Sequence, residues 1–248
     1  MAGVPASGRE ETSAGAGLSV GGITPFTNID FPGRLSAVVF VQGCPWRCGY
    51  CHNPHLQSRD GASGPPWSDV LDFLDRRVGL LDAVVFSGGE PTIDSALAGA
   101  MQDVRAKGFQ VGLHSAGMYP RRLAEVLPLV DWIGFDIKAP LDDPSRHDAV
   151  TGIAGGAPKV REGVEAVLRS GVPHEFRTTA HPTLLRDDDL LRIGESLASV
   201  RAQAFAVQVA RPVHEAAAPL PSVDSRYPSK ETLRRLADLF PGFILRCE

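Results

Sequence analysis

Three of the four cysteines in this chain of 248 residues lie within eight residues, in the stretch GCPWRCGYC. They are Cys44, Cys48 and Cys51, and the fourth cysteine, Cys247, is the next-to-last residue. Thiolates this close together on one loop can bind a metal centre without help from the rest of the fold. The stretch therefore predicts a metal or redox site.

The number of local cysteines bears on which centre they would hold. Structural zinc normally takes four protein ligands, and no second Cys or His pair at zinc spacing follows elsewhere in the chain. His52 directly follows Cys51, which makes joint coordination awkward, while Cys247 could reach back. A [4Fe–4S] cluster is usually held by four cysteines, so three would leave one iron open for catalysis. These residues favour an iron–sulfur cluster over zinc, and a disulfide is least expected.

Composition excludes several classes of protein. The 25 Lys and Arg residues against 29 Asp and Glu residues give a net charge of −4 and no polybasic region, so we expect no nucleic-acid partner. No apolar run approaches the roughly 20 residues that span a membrane. The N-terminus lacks the pattern of a signal peptide, which predicts a cytoplasmic protein.

Residues 1–17 are predicted to be a flexible tail, and residues 18–248 a single domain.

Short apolar runs alternate with amphipathic helical patterns along the chain. The runs cover residues 37–41, 83–86, 110–113, 132–135, 175–179 and 204–209, and a last run covers 243–246. Their unbroken hydrophobicity is typical of parallel strands that are buried on both faces. About six strand–helix repeats predict an α/β fold, specifically a partial (open) parallel (β/α)6 barrel. A closed eight-stranded barrel would need about 250 residues with none left for a tail or loops.

Unusual polar residues follow most of these runs. They are Cys44 after the first, Gly88, Gly89 and Glu90 after the second, Ser115 after the third, Asp136 and Lys138 after the fourth, and Arg177 near the end of the fifth. The carboxyl ends of parallel strands open on one rim, where active sites form. The convergence of these side chains on one rim predicts an enzyme.

The motifs also resemble those of a known family. The spacing C-x3-C-x2-C after a first strand, with Tyr50 before the third cysteine, resembles the signature of the radical S-adenosylmethionine superfamily, and SGGEP is its usual companion. The strings GITPFTNIDFPGRLSAVVFVQGCPWRCGYCHNP, FSGGEPT, DIKAP and EFRTT are similar to those of glycyl-radical-enzyme activases. The branch most similar is the one that activates anaerobic ribonucleoside-triphosphate reductase. The resemblance extends from about Leu18 to the end.

The resemblance implies the cofactors and their contacts. Cys44, Cys48 and Cys51 would ligate three irons of a [4Fe–4S] cluster, and S-adenosylmethionine would chelate the fourth. Flavodoxin or ferredoxin would supply the electron that cleaves the cofactor to a 5′-deoxyadenosyl radical. The implied contacts of S-adenosylmethionine are Tyr50, Gly88, Gly89, Glu90, Ser115, Asp136, Lys138 and Arg177. Ordinary structural roles remain open for each of these: a packed aromatic ring, a βα turn, or ion pairs at the rim.

One position departs from the family pattern. Related activases have an Asp-Thr-Asn-Gly-like turn after the third strand, whereas this chain has His114, Ser115, Ala116 and Gly117. The aspartate that helps to hold a monovalent cation in some relatives is replaced by His114. The cation site is therefore not carried over to this chain and stays open, and we expect His114 to be a hydrogen-bonded residue of the rim.

The implied activity is removal of a hydrogen atom from a backbone glycine of a partner enzyme, which leaves a stored glycyl radical. Anaerobic ribonucleoside-triphosphate reductase is the partner that the resemblance favours, and pyruvate formate-lyase is an alternative. A second alternative is action on a small molecule, as in 7-carboxy-7-deazaguanine synthase. A third is a non-catalytic iron–sulfur or zinc module, which would leave the SGGEP and DIK motifs without a purpose.

Overall fold

The computed structural model describes residues 17–60, 64–210 and 220–247. Eight strands form one sheet in chain order: β1 (Val20–Thr27), β2 (Ser36–Val41), β3 (Ala83–Gly88), β4 (Gln110–Ser115), β5 (Trp132–Asp136), β6 (His174–Ala180), β7 (Ala204–Val209) and β8 (Gly242–Arg246). β1 runs antiparallel to β2, and each later pair of neighbours is parallel. Within the described ranges no pairing joins β8 to β1. The prediction of an open parallel barrel is therefore confirmed.

In the described part of the chain, seven α-helices connect or follow the strands: α1 (Trp67–Asp75), α2 (Leu97–Ala106), α3 (Pro120–Val126), α4 (Pro144–Thr151), α5 (Gly156–Ser170), α6 (Asp187–Ser199) and α7 (Lys230–Leu239). Short 3-10 turns cover Pro54–Leu56, Pro91–Ile93 and Leu127–Leu129. No helix in the described part of the chain is long and apolar enough to cross a membrane. The predicted tail, apart from Gly17, lies outside the described residues.

The main core lies between the outer face of the sheet and the helices. It includes Phe86, Leu113, Ile133, Phe135 and Phe176, all completely buried. Burial of one such side chain contributes roughly 1.5 to 3 kcal/mol. The strands are buried on this face by helices and on the other by the barrel interior, which explains their unbroken hydrophobic runs.

A second, smaller core closes the amino end of the barrel. The rings of Phe31, in the β1–β2 connection, and Trp132, at the start of β5, lie 5.6 Å apart. Val38, Ala83 and Val85 complete this cluster. The connection between β1 and β2 therefore folds inward as a floor, which leaves the carboxyl ends of the strands as the open face.

The sequence reasoning did not find β1. Its sequence, VGGITPFT, contains two glycines and a proline, and most of its residues are only partly buried. Proline removes a hydrogen-bond donor and is tolerated on an edge strand, where one side of the backbone is unpaired. The strand exists because β2 offers it a partner, and local propensity contributes little.

Candidate functional site

The cysteine loop leaves β2 and is held to its surroundings by backbone hydrogen bonds. The amide of Gly43 donates to the carbonyl of Leu56 at 2.8 Å, and the amide of Cys44 donates to the carbonyl of Gln57 at 3.0 Å. The amide of Arg47 donates at 2.7 Å to the carbonyl of Thr151, the last residue of α4. The loop is thus anchored at both sides, and the thiols project from a fixed backbone.

The three thiols line one cavity of about 210 Å³ at the carboxyl ends of the strands. The cavity brings together ten of the eleven residues that the sequence analysis singled out: Cys44, Cys48, Tyr50, Cys51, Gly88, Gly89, Ser115, Asp136, Lys138 and Arg177. The exception is Glu90, which lies behind the wall. Strands β2 to β6 each deliver at least one of these groups, directly or through the loop that follows.

The chemistry of the donors fits a cluster cofactor. All four cysteines are free; Cys44 is partly buried and Cys48 is buried. Burial, followed by the negative charge of Glu90, raises the pKa of Cys44 to about 12. Burial likewise raises the pKa of the Cys48 thiol. These thiols therefore need nearby cations to become thiolates, and the irons of a cluster are such cations.

A site for a single metal ion fits less well. Among the residues that the structure describes, no three His, Cys, Asp or Glu side chains converge so that one ion could be held between them. In a cubane cluster each thiolate binds a different iron, so the thiols need only surround a common space. This arrangement disfavours the zinc alternative.

Gly88, the last residue of β3, and Gly89 allow this end of β3 to approach the end of β2 and the cysteine loop closely. Gly88 has a φ of 108°, and a Cβ on it would lie 2.6 Å from the amide nitrogen of Val41. A Cβ on Gly89 would overlap the carbonyl oxygen of Gly43. That oxygen accepts a hydrogen bond of 2.9 Å from the amide of Glu90. The resemblance implies that these glycines contact the cofactor; in the structure they also allow close contact with the end of β2 and with the cysteine loop.

The Glu90 carboxylate is 1% exposed and is fully engaged by the protein. Its Oε1 accepts hydrogen bonds from the amide and hydroxyl of Thr92, at 3.2 and 2.6 Å, and from the Ser115 hydroxyl at 2.8 Å. Its Oε2 accepts from the Ala116 amide at 2.8 Å. The Ser115 oxygen also accepts from the Gly117 amide at 3.1 Å. Glu90 thus joins the turn after β3 to the end of β4.

The charged residues of the cavity take partners from distant parts of the chain. The resemblance implies that Asp136 and Lys138 contact S-adenosylmethionine, and in the structure the carboxylate of Asp136 accepts from Nε of Arg177 at 3.0 Å. The Lys138 ammonium lies 5.6 Å from the centre of the Tyr50 ring. Burial would raise the pKa of Asp136, but the charges of Arg177 and Lys138 outweigh burial and lower that pKa below its ordinary value.

His114 lies under this ion pair and is neutral. Its Nε2 is 2.9 Å from the carbonyl oxygen of Asp30, which can only accept, so Nε2 carries the hydrogen. Nδ1 is then free to accept from the Ser87 hydroxyl, at 3.3 Å. Burial, followed by the charge of Arg177, lowers the pKa of His114 to about 3. The residue is a hydrogen-bonded histidine that ties β4 to the floor of the barrel.

Several residues of the cavity wall were not singled out from the sequence as cofactor contacts. They are Trp46, His52, Asn53, Gln57, Ser87, His114, Ala116 and Thr179. The period of two in a strand would have found one of them, because Thr179 lies two residues after Arg177 on the same face. No comparable signal marks Gln57, which reaches the cavity because the cysteine loop folds back.

Comparisons with known proteins agree with this geometry. The family model described as Radical SAM superfamily matches residues 38–194, which is more than half of the chain. A candidate glycyl-radical enzyme activating enzyme of Methanocaldococcus jannaschii is 30% identical over 186 residues, covering 72% of this chain and 75% of that protein. The pyruvate formate-lyase-activating enzyme of Streptococcus mutans is 27% identical over 191 residues, covering 71% and 70%.

A solved structure shows the same fold. Streptococcus suis SuiB bound to S-adenosylmethionine superposes with a TM-score of 0.63 at 15% identity, covering 83% of this chain and 48% of SuiB. The chain thus spans about half of the length of that neighbour. The family match, the curated relatives and the shared fold together show that this protein belongs to the radical S-adenosylmethionine superfamily of enzymes, whose cofactors are a [4Fe–4S] cluster and S-adenosylmethionine.

Proposed function

We propose that this protein is an activase that removes a hydrogen atom from a backbone glycine of a partner enzyme. The observation that carries the proposal is the single cavity in which three free thiols meet a tyrosine, a carboxylate–guanidinium pair and a lysine. Two curated relatives that match over at least 70% of their own length are an activating enzyme and a candidate one. This agreement supports a substrate that is itself a protein.

Each group of the cavity has a role in this proposal. The thiolates of Cys44, Cys48 and Cys51 hold the cluster. The bound cluster and S-adenosylmethionine supply the electron transfer and the C–S cleavage that produce a 5′-deoxyadenosyl radical. The Asp136–Arg177 pair presents both signs of charge to the polar groups of S-adenosylmethionine. The Tyr50 ring, fixed under the Lys138 ammonium, offers a flat apolar surface to the adenine.

The open side of the barrel suits a peptide. A second cavity, of about 370 Å³, lies beside the first and is lined by Asp30, Glu175, Gln208 and Arg246 among others. Arg177 lines both cavities, so the two are adjacent. Ile29 at its edge is 75% exposed. A flexible loop carrying a glycine can enter such a gap, whereas a folded domain cannot.

Anaerobic ribonucleoside-triphosphate reductase is the specific partner that we propose. The support for this choice comes from the sequence strings around the cysteine loop, FSGGEPT, DIKAP and EFRTT. Pyruvate formate-lyase shares the same glycyl chemistry and is the natural comparison in any assay.

The test is anaerobic reconstitution with iron and sulfide, reduction with dithionite, and assay of 5′-deoxyadenosine from S-adenosylmethionine. Cys48→Ala removes a proposed ligand, and Cys247→Ala is the matched control because Cys247 is exposed and lies outside the loop. We expect the wild type and Cys247→Ala to produce deoxyadenosine and Cys48→Ala to produce none. Equal loss in both variants, or no cleavage by the wild type, would contradict the proposal.

The partner is identified in a second step. Each of the two glycyl-radical enzymes is added, and the glycyl radical is measured by electron paramagnetic resonance. We expect the radical on anaerobic ribonucleoside-triphosphate reductase. A radical only on pyruvate formate-lyase would correct the partner. Cleavage with neither partner, together with turnover of the substrate of 7-carboxy-7-deazaguanine synthase, would overturn the activase function.

A further inference from the structure

A basic surface lies beside the cysteine loop, on the outside of the molecule. It consists of five exposed cations, here called the basic rim: Arg47, Arg59, Arg121, Arg122 and Lys159. The chain as a whole carries a net charge of −4, so this concentration of positive charge runs against its average. None of these side chains lines the cofactor cavity.

Contacts place the rim directly against the proposed cluster site. The guanidinium of Arg47 donates to the backbone carbonyl of Cys44 at 2.7 Å. Arg59 and Arg122 both donate to the carbonyl of Ile93, at 3.3 and 2.5 Å, so these two side chains are neighbours. Gly43, next to Cys44, has the aliphatic part of Arg59 packed against it. The rim therefore follows the outer side of the loop that carries the thiols.

The rest of the rim borders a shallow depression of about 400 Å³. Its floor is formed by Met118, Tyr119 and Pro120, and its edge by Arg121, Arg122, Lys159 and Glu162. Trp46 of the cysteine loop packs against Gly156 at the start of α5, three residues before Lys159. The depression thus adjoins the cysteine loop and has a partly apolar floor within a charged edge.

Most of the positive charge on this surface is not neutralised. Arg59 is paired with Asp94 at 3.0 Å. Within the described ranges, no ion pair involves Arg47, Arg121, Arg122 or Lys159. A surface with unpaired cations around a partly apolar floor resembles a protein interface, in which complementary charge speeds encounter and selects the partner.

We propose that the basic rim and its depression dock a small acidic one-electron carrier protein, which reduces the cluster at this loop. The inference rests on the proposed function, because each cleavage of S-adenosylmethionine consumes one electron. In the docked complex the carrier is oxidised by one electron and the cluster is reduced by one, with no transfer of atoms. An open, shallow, cationic surface fits an acidic protein, and a small reductant would not need it.

The test compares two double variants with the same change in charge. Arg121→Glu with Lys159→Glu reverses the rim at two side chains that make no hydrogen bond or ion pair within the described ranges. Arg34→Glu with Arg76→Glu is the matched control, because both residues are exposed and lie at the amino ends of the strands. The probe is reduced flavodoxin, used with the cluster-loaded protein.

Two readouts do not depend on catalysis: the dissociation constant for flavodoxin, and the stopped-flow rate of cluster reduction. At low ionic strength we expect the dissociation constant of the rim variant to rise at least tenfold and its rate of cluster reduction to fall at least tenfold. Both values for the control variant should stay within twofold of the wild type. The difference should shrink at high salt, because surface charges are screened beyond about 10 Å at 0.1 M. Dithionite-driven formation of deoxyadenosine should be equal in all three proteins.

Two results would overturn the docking proposal. One is a loss of flavodoxin affinity in the control variant that equals the loss in the rim variant. The other is a rim variant that keeps the affinity and the salt dependence of the wild type. Failure of the proposed function gives a different pattern. Either deoxyadenosine is absent even with dithionite, or it is formed but no glycyl radical appears on either partner enzyme. In both cases flavodoxin binding and cluster reduction can still be measured.

Discussion

The turn after β3 and the segment at the end of β5 reach the same cavity in different ways. In the turn after β3, Gly88 and Gly89 pack against backbone, and the Glu90 carboxylate has its hydrogen bonds filled by Thr92, Ser115 and Ala116. At the end of β5, Asp136 and Lys138 face the cavity, and Asp136 is 34% exposed. The first segment forms part of the cavity wall, and the second places charged side chains in the cavity.

The two segments differ because the charges of their carboxylates, Glu90 and Asp136, are stabilised in different ways. Among the residues that the structure describes, no cation pairs with the buried Glu90, which is tolerable only because several donors replace water. Asp136 is paired with Arg177 and remains in contact with solvent in the cavity, so under the proposed function it would exchange partners when S-adenosylmethionine enters. Substitutions in the first segment should therefore change stability, and those in the second should change cofactor affinity.

Gly89→Ala should have the largest effect, because its Cβ would overlap the carbonyl oxygen of Gly43 and force the two loops apart. We expect the free energy of unfolding to fall by about 3 kcal/mol and iron loading to fail. Urea denaturation and iron analysis measure both. Gly49→Ala, in the cysteine loop and with open space around it, is the control and should change stability by less than about 0.5 kcal/mol. Normal loading of Gly89→Ala would contradict the proposed packing.

Glu90→Ala and Asp136→Ala test the comparison directly. Glu90→Ala leaves the buried Ser115 hydroxyl and the Ala116 amide without their hydrogen-bond acceptor. This should lower the free energy of unfolding by about 2 to 3 kcal/mol. Asp136→Ala should lower it less, by about 1 kcal/mol, because the Asp136 side chain is 34% exposed and Arg177, although only 11% exposed, still lines the cavity. Its main effect should be an approximately tenfold weaker affinity for S-adenosylmethionine, measured by equilibrium dialysis on cluster-loaded protein. The reverse assignment of the two effects would refute the distinction between the segments.

His114 should make stability depend on pH below neutrality. Its pKa is about 3 in the folded protein and about 6.5 when unfolded, so between these values only the unfolded chain binds the proton. The contribution is fully present above pH 6.5 and is lost as pH falls, with a slope of up to about 1.4 kcal/mol per pH unit. Urea denaturation from pH 7 to 5 should show a steeper fall for the wild type than for His114→Gln. Parallel profiles would mean that His114 titrates normally.

Ser115→Ala should have the smallest effect, and it tests whether the Ser115 hydroxyl supports the cavity wall or contacts the cofactor. The resemblance implies a cofactor contact for Ser115, but its hydroxyl donates to Glu90 and accepts from the Gly117 amide. We expect a loss of about 1 kcal/mol in the free energy of unfolding, with affinity for S-adenosylmethionine changed by less than twofold. A loss of affinity at unchanged stability would instead assign the hydroxyl to the cofactor.

The fold was largely predictable because its strands carry a strong local signal. Each predicted run became a parallel strand, since a strand buried on both faces must be apolar throughout. The rim residues were predictable for a related reason, because the end of each run marks the carboxyl end of its strand. β1 was not predictable, since an edge strand needs little burial and tolerates Gly and Pro.

The sequence by itself determined the open parallel barrel, the cysteine loop and the set of polar residues at one rim. Periodicity and spacing are local properties of the chain, and they report which residue types lie at strand ends. Only the tertiary structure decided which partners those residues take: Asp136 with Arg177, Glu90 with Ser115 and Ala116, and Lys138 over Tyr50. These partners are 25 to 88 residues apart in the chain, and packing of the completed sheet brings them within contact distance.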